Sequence, residues 1–192
     1  MENIFSNVGL SIQEKKAKIR TIIKTLKDTH LEDFKLKDAN AVFARIEALP
    51  EFTKAQTILM YWSLADELPT HHFVNKWSVS KQILLPKVVG NEIEIKQFIS
   101  MDTMKKGDYG ILEPSTASNF EGEIDIIIVP GVAFDKQKNR LGRGKGYYDR
   151  LLSKTFALKI GVGFDFQMLD NLPFNEEDIK MDVVISQTQT IN

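Results

Sequence analysis

Between Asp125 and Leu152 the chain reads DIIIVPGVAFDKQKNRLGRGKGYYDRLL, and the residues best suited to chemistry crowd its second half. Arg140, Arg143 and Lys145 alternate with Leu141 and glycines 142, 144 and 146, and Tyr147, Tyr148 and Asp149 follow at once. Glycines let a backbone approach an anion closely and adopt positive φ, exposed N–H groups cradle phosphate oxygens, and a helix start just beyond adds partial positive charge. Guanidinium groups bind phosphate oxygens in pairs. The spacing therefore predicts a polyphosphate loop. It is not a Walker A loop, because Lys145 is followed by Gly146 and not by Ser or Thr. Nor is it the dinucleotide fingerprint, since its glycines fall at every second position. The plain alternative for such a string is a solvated basic loop; the apolar strand before it and Tyr-Tyr-Asp after it favour binding.

A loop of this kind needs a rigid frame. Ile124 to Val129 is apolar on both faces apart from Asp125, the pattern of a strand inside a sheet. Further strands are expected at 57–62, 83–85 (ended by Pro86), 92–99, 160–164 and 183–185. Ser11 and Glu14 have capping-box spacing, and Ile12, Ile19, Ile23 and Leu26 mark an amphipathic helix over 12–28 ringed by Lys15, Lys16, Lys18 and Arg20. Helices are also expected at 38–49, stopped by Pro50, at 70–78, capped by Thr70, and at 147–154. Alternating strands and helices indicate an α/β three-layer sandwich with a mostly parallel central sheet flanked by helices. Residues 101–122, with Gly107, Gly110, Pro114 and Gly122, read as a long loop.

The bulk composition narrows the field. The chain has 192 residues, enough for one domain with a sizeable core. A net charge of −1 means that no global field draws it to nucleic acid or an anionic membrane, so any anion site is local. With no cysteine, disulfides, thiolate metal sites and cysteine nucleophiles are excluded, which fits a cytoplasmic protein. The first residues lack a basic stretch followed by a long apolar run, so an unprocessed, soluble chain is expected. His71 and His72 are adjacent on a helix and diverge by about 100°, which argues against a shared metal.

VPGVAFD followed by NRLGRGKGYYD resembles the signature of the 5-formyltetrahydrofolate cyclo-ligase family. KKAKIR, YWSLADELPT, LLPKV, GDYGILEP and KMDVVIS extend the resemblance over almost the whole chain. The resemblance implies conversion of 5-formyltetrahydrofolate to 5,10-methenyltetrahydrofolate with ATP as cosubstrate and Mg2+ as metal. It implies that Lys16 and Arg20 reach the ATP phosphates, one helical turn apart. The segment from Arg140 to Tyr148 would bind ATP, with Arg143, Gly144, Lys145, Gly146 and Tyr147 also bordering the folate and Lys145, Arg143 and Tyr147 contributing to catalysis. Glu67 would orient the pterin and formyl end, and Trp62 would line the pocket, although a core role suits Trp62 equally. Asp149 and Asp182 would hold the metal. Asp66 stands beside Glu67, but adjacent side chains usually point apart, so no acid/base pair is assigned to them; Tyr109 and Glu113 receive no sharper role than pocket lining, and Asp135 none sharper than loop shape.

Three alternatives stay open at this level. Another ATP- or phosphate-ester enzyme on the same scaffold would keep the loop and lose folate turnover. A non-catalytic folate binder would bind folate without hydrolysing ATP. A nucleic-acid module would bind RNA with a steep salt dependence and ignore ATP, a reading opposed by the near-neutral charge. The expected partners are a reduced folate and ATP, with no nucleic acid and no membrane, and a monomer is expected ahead of a dimer.

Overall fold

The computed structural model describes residues 9–107, 110, 112–116 and 118–192. Tyr109 and the first eight residues, on which two of the readings above fall, lie outside them. The helices are α1 (Ile12–Asp28), α2 (Glu32–Glu47), α3 (Pro50–Lys54), α4 (His71–Trp77) and α5 (Tyr147–Leu152). The strands are β1 (Thr57–Leu59), β2 (Gln82–Val89), β3 (Glu92–Gln97), β4 (Met104–Lys106), β5 (Leu112–Pro114), β6 (Ile126–Pro130), β7 (Ala133–Asp135), β8 (Arg140–Leu141), β9 (Leu158–Val162), β10 (Met168–Leu169), β11 (Val183–Ile185) and β12 (Thr190–Ile191).

Seven strands form the main sheet in the order β12-β11-β9-β6-β1-β2-β3, parallel except for β3 and β12 at its edges. The two-residue period of the strands divides the core cleanly. Ile58, Ile83, Leu85, Ile126, Ile128, Ile160, Val162 and Ile185 pack with Val42 and Ile46 of α2, Phe52 of α3 and Phe73 and Val74 of α4. Leu59, Leu84, Ile127, Val129 and Val184 face the other way, against Phe134, Met181 and Leu152 of α5. The expected three layers are present, with β6 at the centre.

Two prolines act differently from expectation. Pro86 does not end its strand, because β2 runs through it to Val89. Met60 N–H donates to Leu84 O and Phe98 N–H to Ile83 O, so even-numbered residues of β2 turn toward β1 and odd ones toward β3. β1 ends at Leu59, so the missing N–H of Pro86 faces a side where no ladder is needed. Pro50 does more than stop a helix: it opens α3 as one of its first residues, where a proline ring is favourable. α2 starts at Glu32, six residues before the expected position. The stretch 101–122 is not plain loop, since β4 and β5 pair there as a hairpin. Thr70 precedes α4 without capping it; its hydroxyl donates to Tyr61 O and accepts from Ser63 N–H, folding the chain that leaves β1.

α1 packs apart from the main layers. Ile19 and Ile23 join Val132, Ala133, Leu141 and Leu172 in a cluster beside the small β10-β7-β8 sheet. The turn of that sheet is set by fully buried Asp135, which accepts from the N–H groups of Gln137, Asn139 and Leu172 and from the Asn139 amide. Those four donors are what permits a buried carboxylate there. Among the described residues no helix is long and apolar enough to cross a membrane.

Candidate active site

β1 and β6 are neighbours in the sheet, and the chain leaves them toward opposite edges. Such a switch point leaves a crevice at the strand C-termini. A cleft of about 830 Å3 lies there, walled by Tyr61, Trp62, Leu64 and Glu67 after β1 and by Pro130, Gly131 and Val132 at the end of β6. Residues 140–150 form a third wall, and Gln13, Lys16 and Arg20 of α1 a fourth.

The alternating glycines have a spatial cause, because each gives its side-chain space to an arginine. A Cβ on Gly142 would lie 2.9 Å from Nη1 of Arg140, one on Gly144 3.5 Å from Cζ of Arg20, and one on Gly146 2.8 Å from Nη1 of Arg150. Gly144 and Gly146 also have φ of +103° and +68°, values that a side chain disfavours. The loop is thus a backbone ribbon sheathed in guanidinium groups. Arg20 Nε donates to Gly142 O at 2.9 Å and docks α1 on it.

Every one of these cations already has an acceptor. Arg140 is buried and donates to Asp149 at 2.8 Å and to Pro130 O at 3.4 Å, with its guanidinium 5.5 Å from the Tyr148 ring centroid. Arg143 spans both carboxylate oxygens of Asp66 at 2.7 and 2.8 Å and meets Glu67 at 3.1 Å. Burial works against the Arg143 charge, but Glu67 and Asp66 outweigh it and hold the guanidinium above its ordinary value. Lys16 is buried and pairs with Asp178 at 2.5 Å, while burial lowers the Arg20 value against the pull of Asp178. An anion entering the cleft would find cations whose charge is already paired, and replacing an acceptor would leave no bare charge buried.

The tyrosines divide their work. Tyr147 OH donates to Gly90 O at 3.2 Å, tying the start of α5 to the β2-β3 turn. Tyr61 is buried and Tyr148 half-buried in the cleft wall, and both phenols are pushed above their ordinary values, first by loss of water around the hydroxyl and then by the charge of Glu67. Glu67 also accepts from Leu64 N–H at 3.0 Å, which fixes the loop after β1. Trp62 is 9% exposed and stacked 4.0 Å from His71, so it is both core and cleft wall. Burial lowers the His71 value, and its Nε2 sits 3.2 Å from Ser63 O.

Lys16, Arg20, Trp62, Glu67, Arg140 to Tyr148 and Asp149 therefore come together on one cleft. Leu141 does so as an anchor, buried in the cluster with Ile19 and Ile23. Asp182 does not line the cleft: its carboxylate accepts from Lys159 N–H at 2.8 Å and stands 3.4 Å from Lys159 Nζ on the adjacent strand. Asp178, absent from the sequence reading, is the acid that does face the α1 cations. The Asn-Glu-Glu-Asp run opposite a basic helix was the available signal. Glu113 is buried, lines the cleft and accepts from Val88 N–H at 3.3 Å. Among the described residues no group of three or more His, Asp or Glu side chains is placed to hold a metal.

Known proteins resemble this chain in sequence and in fold. The 5-formyltetrahydrofolate cyclo-ligase family matches residues 12–187. The 5-formyltetrahydrofolate cyclo-ligase of Haemophilus influenzae is 29% identical over 181 residues, covering 88% of this chain and 95% of its own. The solved 5,10-methenyltetrahydrofolate synthetase of Aquifex aeolicus superposes with a TM-score of 0.83 at 34% identity, over 91% of each chain. That of Mycoplasma pneumoniae gives 0.71 at 25% identity, over 90% of this chain and 98% of its own. With its cation-lined cleft, its parallel-sheet fold and a match over nearly its full length, this chain belongs to the 5-formyltetrahydrofolate cyclo-ligase family.

Proposed function

We propose that the chain converts 5-formyltetrahydrofolate to 5,10-methenyltetrahydrofolate, cleaving ATP to ADP and phosphate in this cleft. The observation that carries the reading is the pairing of Arg143 with Glu67, which joins the glycine loop to the wall carrying Trp62. A terminal phosphate on the loop and a folate against Trp62 and Glu67 would then meet at Arg143. A formamide carbon is a poor electrophile. Transfer of the γ-phosphoryl group to the formyl oxygen breaks the bond to ADP and makes that oxygen a leaving group. The N10 electron pair then attacks the formyl carbon, the carbon–oxygen bond breaks with release of phosphate, and the N10 proton passes to solvent.

The protein's part is alignment and charge. The backbone of 142–146, with Arg140, Lys145, Lys16 and Arg20 around it, holds the polyphosphate; Arg143 faces the transferring group; Glu67 orients the pterin and Trp62 packs on it. Tyr147 fixes the helix start beneath the reacting atoms. Magnesium would neutralise phosphate oxygens when bound. Asp149, a hard oxygen ligand on the cleft wall, suits a metal that takes few protein ligands beside phosphate and water. Asp182 could join it only by giving up Lys159. A single-domain, monomeric, cytoplasmic enzyme completes the reading, consistent with a chain free of cysteine.

The chemical step has a direct test. Substrate carrying 18O in its formyl group should deliver that label to inorganic phosphate. Label found only in water or retained on folate would rule out phosphorylation of the formyl oxygen.

A further inference from the structure

Lys27 closes α1 with a side chain only 5% exposed, yet it lies on no wall of the cleft. A buried ammonium persists where a carboxylate holds it. Here that carboxylate is Asp66, at 3.4 Å. Asp66 also stays off the cleft wall, and both of its oxygens accept from Nη2 of Arg143, at 2.7 and 2.8 Å. Arg143 continues the line to Glu67, whose second oxygen is taken by Leu64 N–H. A chain of alternating charge thus runs from the protein interior to the two groups that face the substrates.

The geometry points to Asp66, braced by Lys27, as the positioning residue that sets where the Arg143 guanidinium stands between Glu67 and the glycine loop. The step that Arg143 serves rests on the cyclo-ligase reading above. Glu67 alone would draw Arg143 along the β1 wall; Asp66 supplies a second pull from behind. Lys27 is needed because a carboxylate facing only Arg143 would follow that flexible side chain toward an incoming phosphate. Burial opposes the Lys27 charge and Asp66 favours it, so the brace depends on the acid remaining ionised. α1 is thereby tied to the loop twice, at Arg20 with Gly142 and at Lys27 through Asp66.

The test compares full-length Asp66→Asn, Lys27→Met, Lys27→Arg and the Lys27→Met/Asp66→Asn double variant. Asp66→Asn should lower kcat about two- to fivefold, the worth of a charge-assisted contact that water partly screens, with a smaller change in KM for ATP. Its melting temperature should also fall, because Lys27 is left buried and unpaired. Lys27→Met should keep its melting temperature and still lose kcat severalfold, and Lys27→Arg should restore it. The double variant should regain thermal stability without regaining kcat. A double variant with both restored, or Lys27→Met with unchanged kcat, would overturn the inference and leave a purely structural pair. The Arg143 Nε–H resonance gives a readout independent of turnover, and it should shift in Asp66→Asn. Absence of turnover in the wild type would remove the cyclo-ligase reading, whereas an unmoved resonance would remove this one.

Discussion

Replacing Arg140 by Met separates the structural from the chemical role of the cation beneath the glycine loop. Arg140 is buried, its partner Asp149 has a side chain 26% exposed, and the two meet at 2.8 Å. Breaking a fully buried ion pair costs about 3–5 kcal/mol, mostly for the charge left behind. Water reaches Asp149, so about 2–3 kcal/mol is the expected loss here. For a chain of this size each kcal/mol moves the melting temperature by roughly 2–4 °C, which gives a drop of about 4–12 °C. Removing both charges in Arg140→Met/Asp149→Leu should recover most of that drop, because the remaining neighbours include the Tyr148 ring. Calorimetric melting checks the first half, and ATP-dependent turnover at a temperature where both variants are folded checks the second. Activity should be lost in the single variant and stay lost in the double. Stability that fails to return, or activity that does, would refute the assignment of this pair to the phosphate site.

The other expectations can be tested alongside. Lys145→Ala should cripple ATP-dependent turnover while its urea midpoint stays near that of the wild type, since the residue lies on the cleft wall and not in the core. Asp149→Asn should raise the magnesium concentration needed for half-maximal activity severalfold, and Asp182→Asn should not; equal shifts in the two titrations would show that Asp182 leaves Lys159 when the metal binds. Gly144→Ala places a side chain at φ +103°, a strain of about 1–3 kcal/mol, and should raise KM for ATP more than it lowers kcat. Burial holds the His71 value below its ordinary 6.5, so the unfolded chain takes up that proton first as pH falls. Stability should therefore decline from pH 6.5 down to the lower folded value. His71→Phe, which keeps a ring on Trp62, should flatten that decline in denaturation series, and a parallel loss in both proteins would contradict it.

Much of the frame was legible because local rules and tertiary packing agree. Ser11 and Glu14 form their capping box, and α1 spans the expected residues. The apolar run of β6 lies mid-sheet, where both faces are covered. The misses arise where a residue's use depends on what lies across from it. Pro86 was read as a strand end, but a one-sided ladder tolerates it. Ile12 and Leu26 were assigned to the inner face of α1, yet both are exposed while Lys16 and Lys27 are buried, each against one acid. That helix docks on a charged cleft as well as an apolar cluster, and hydrophobic periodicity sees only the second. The glycine loop was read for backbone freedom, whereas the three arginines that fill its side-chain space come from α1, β8 and α5. Asp178 and Asp66 act through partners 162 and 77 positions away, a pairing that no local pattern encodes.

Cyclo-ligase turnover can be read by mixing the purified chain with 5-formyltetrahydrofolate, ATP and magnesium and following near-ultraviolet absorbance and ADP together. Methenyltetrahydrofolate and ADP should form one for one, with neither appearing when folate or ATP is left out. ADP released without methenyltetrahydrofolate, or no reaction across pH and metal conditions, would contradict the cyclo-ligase reading.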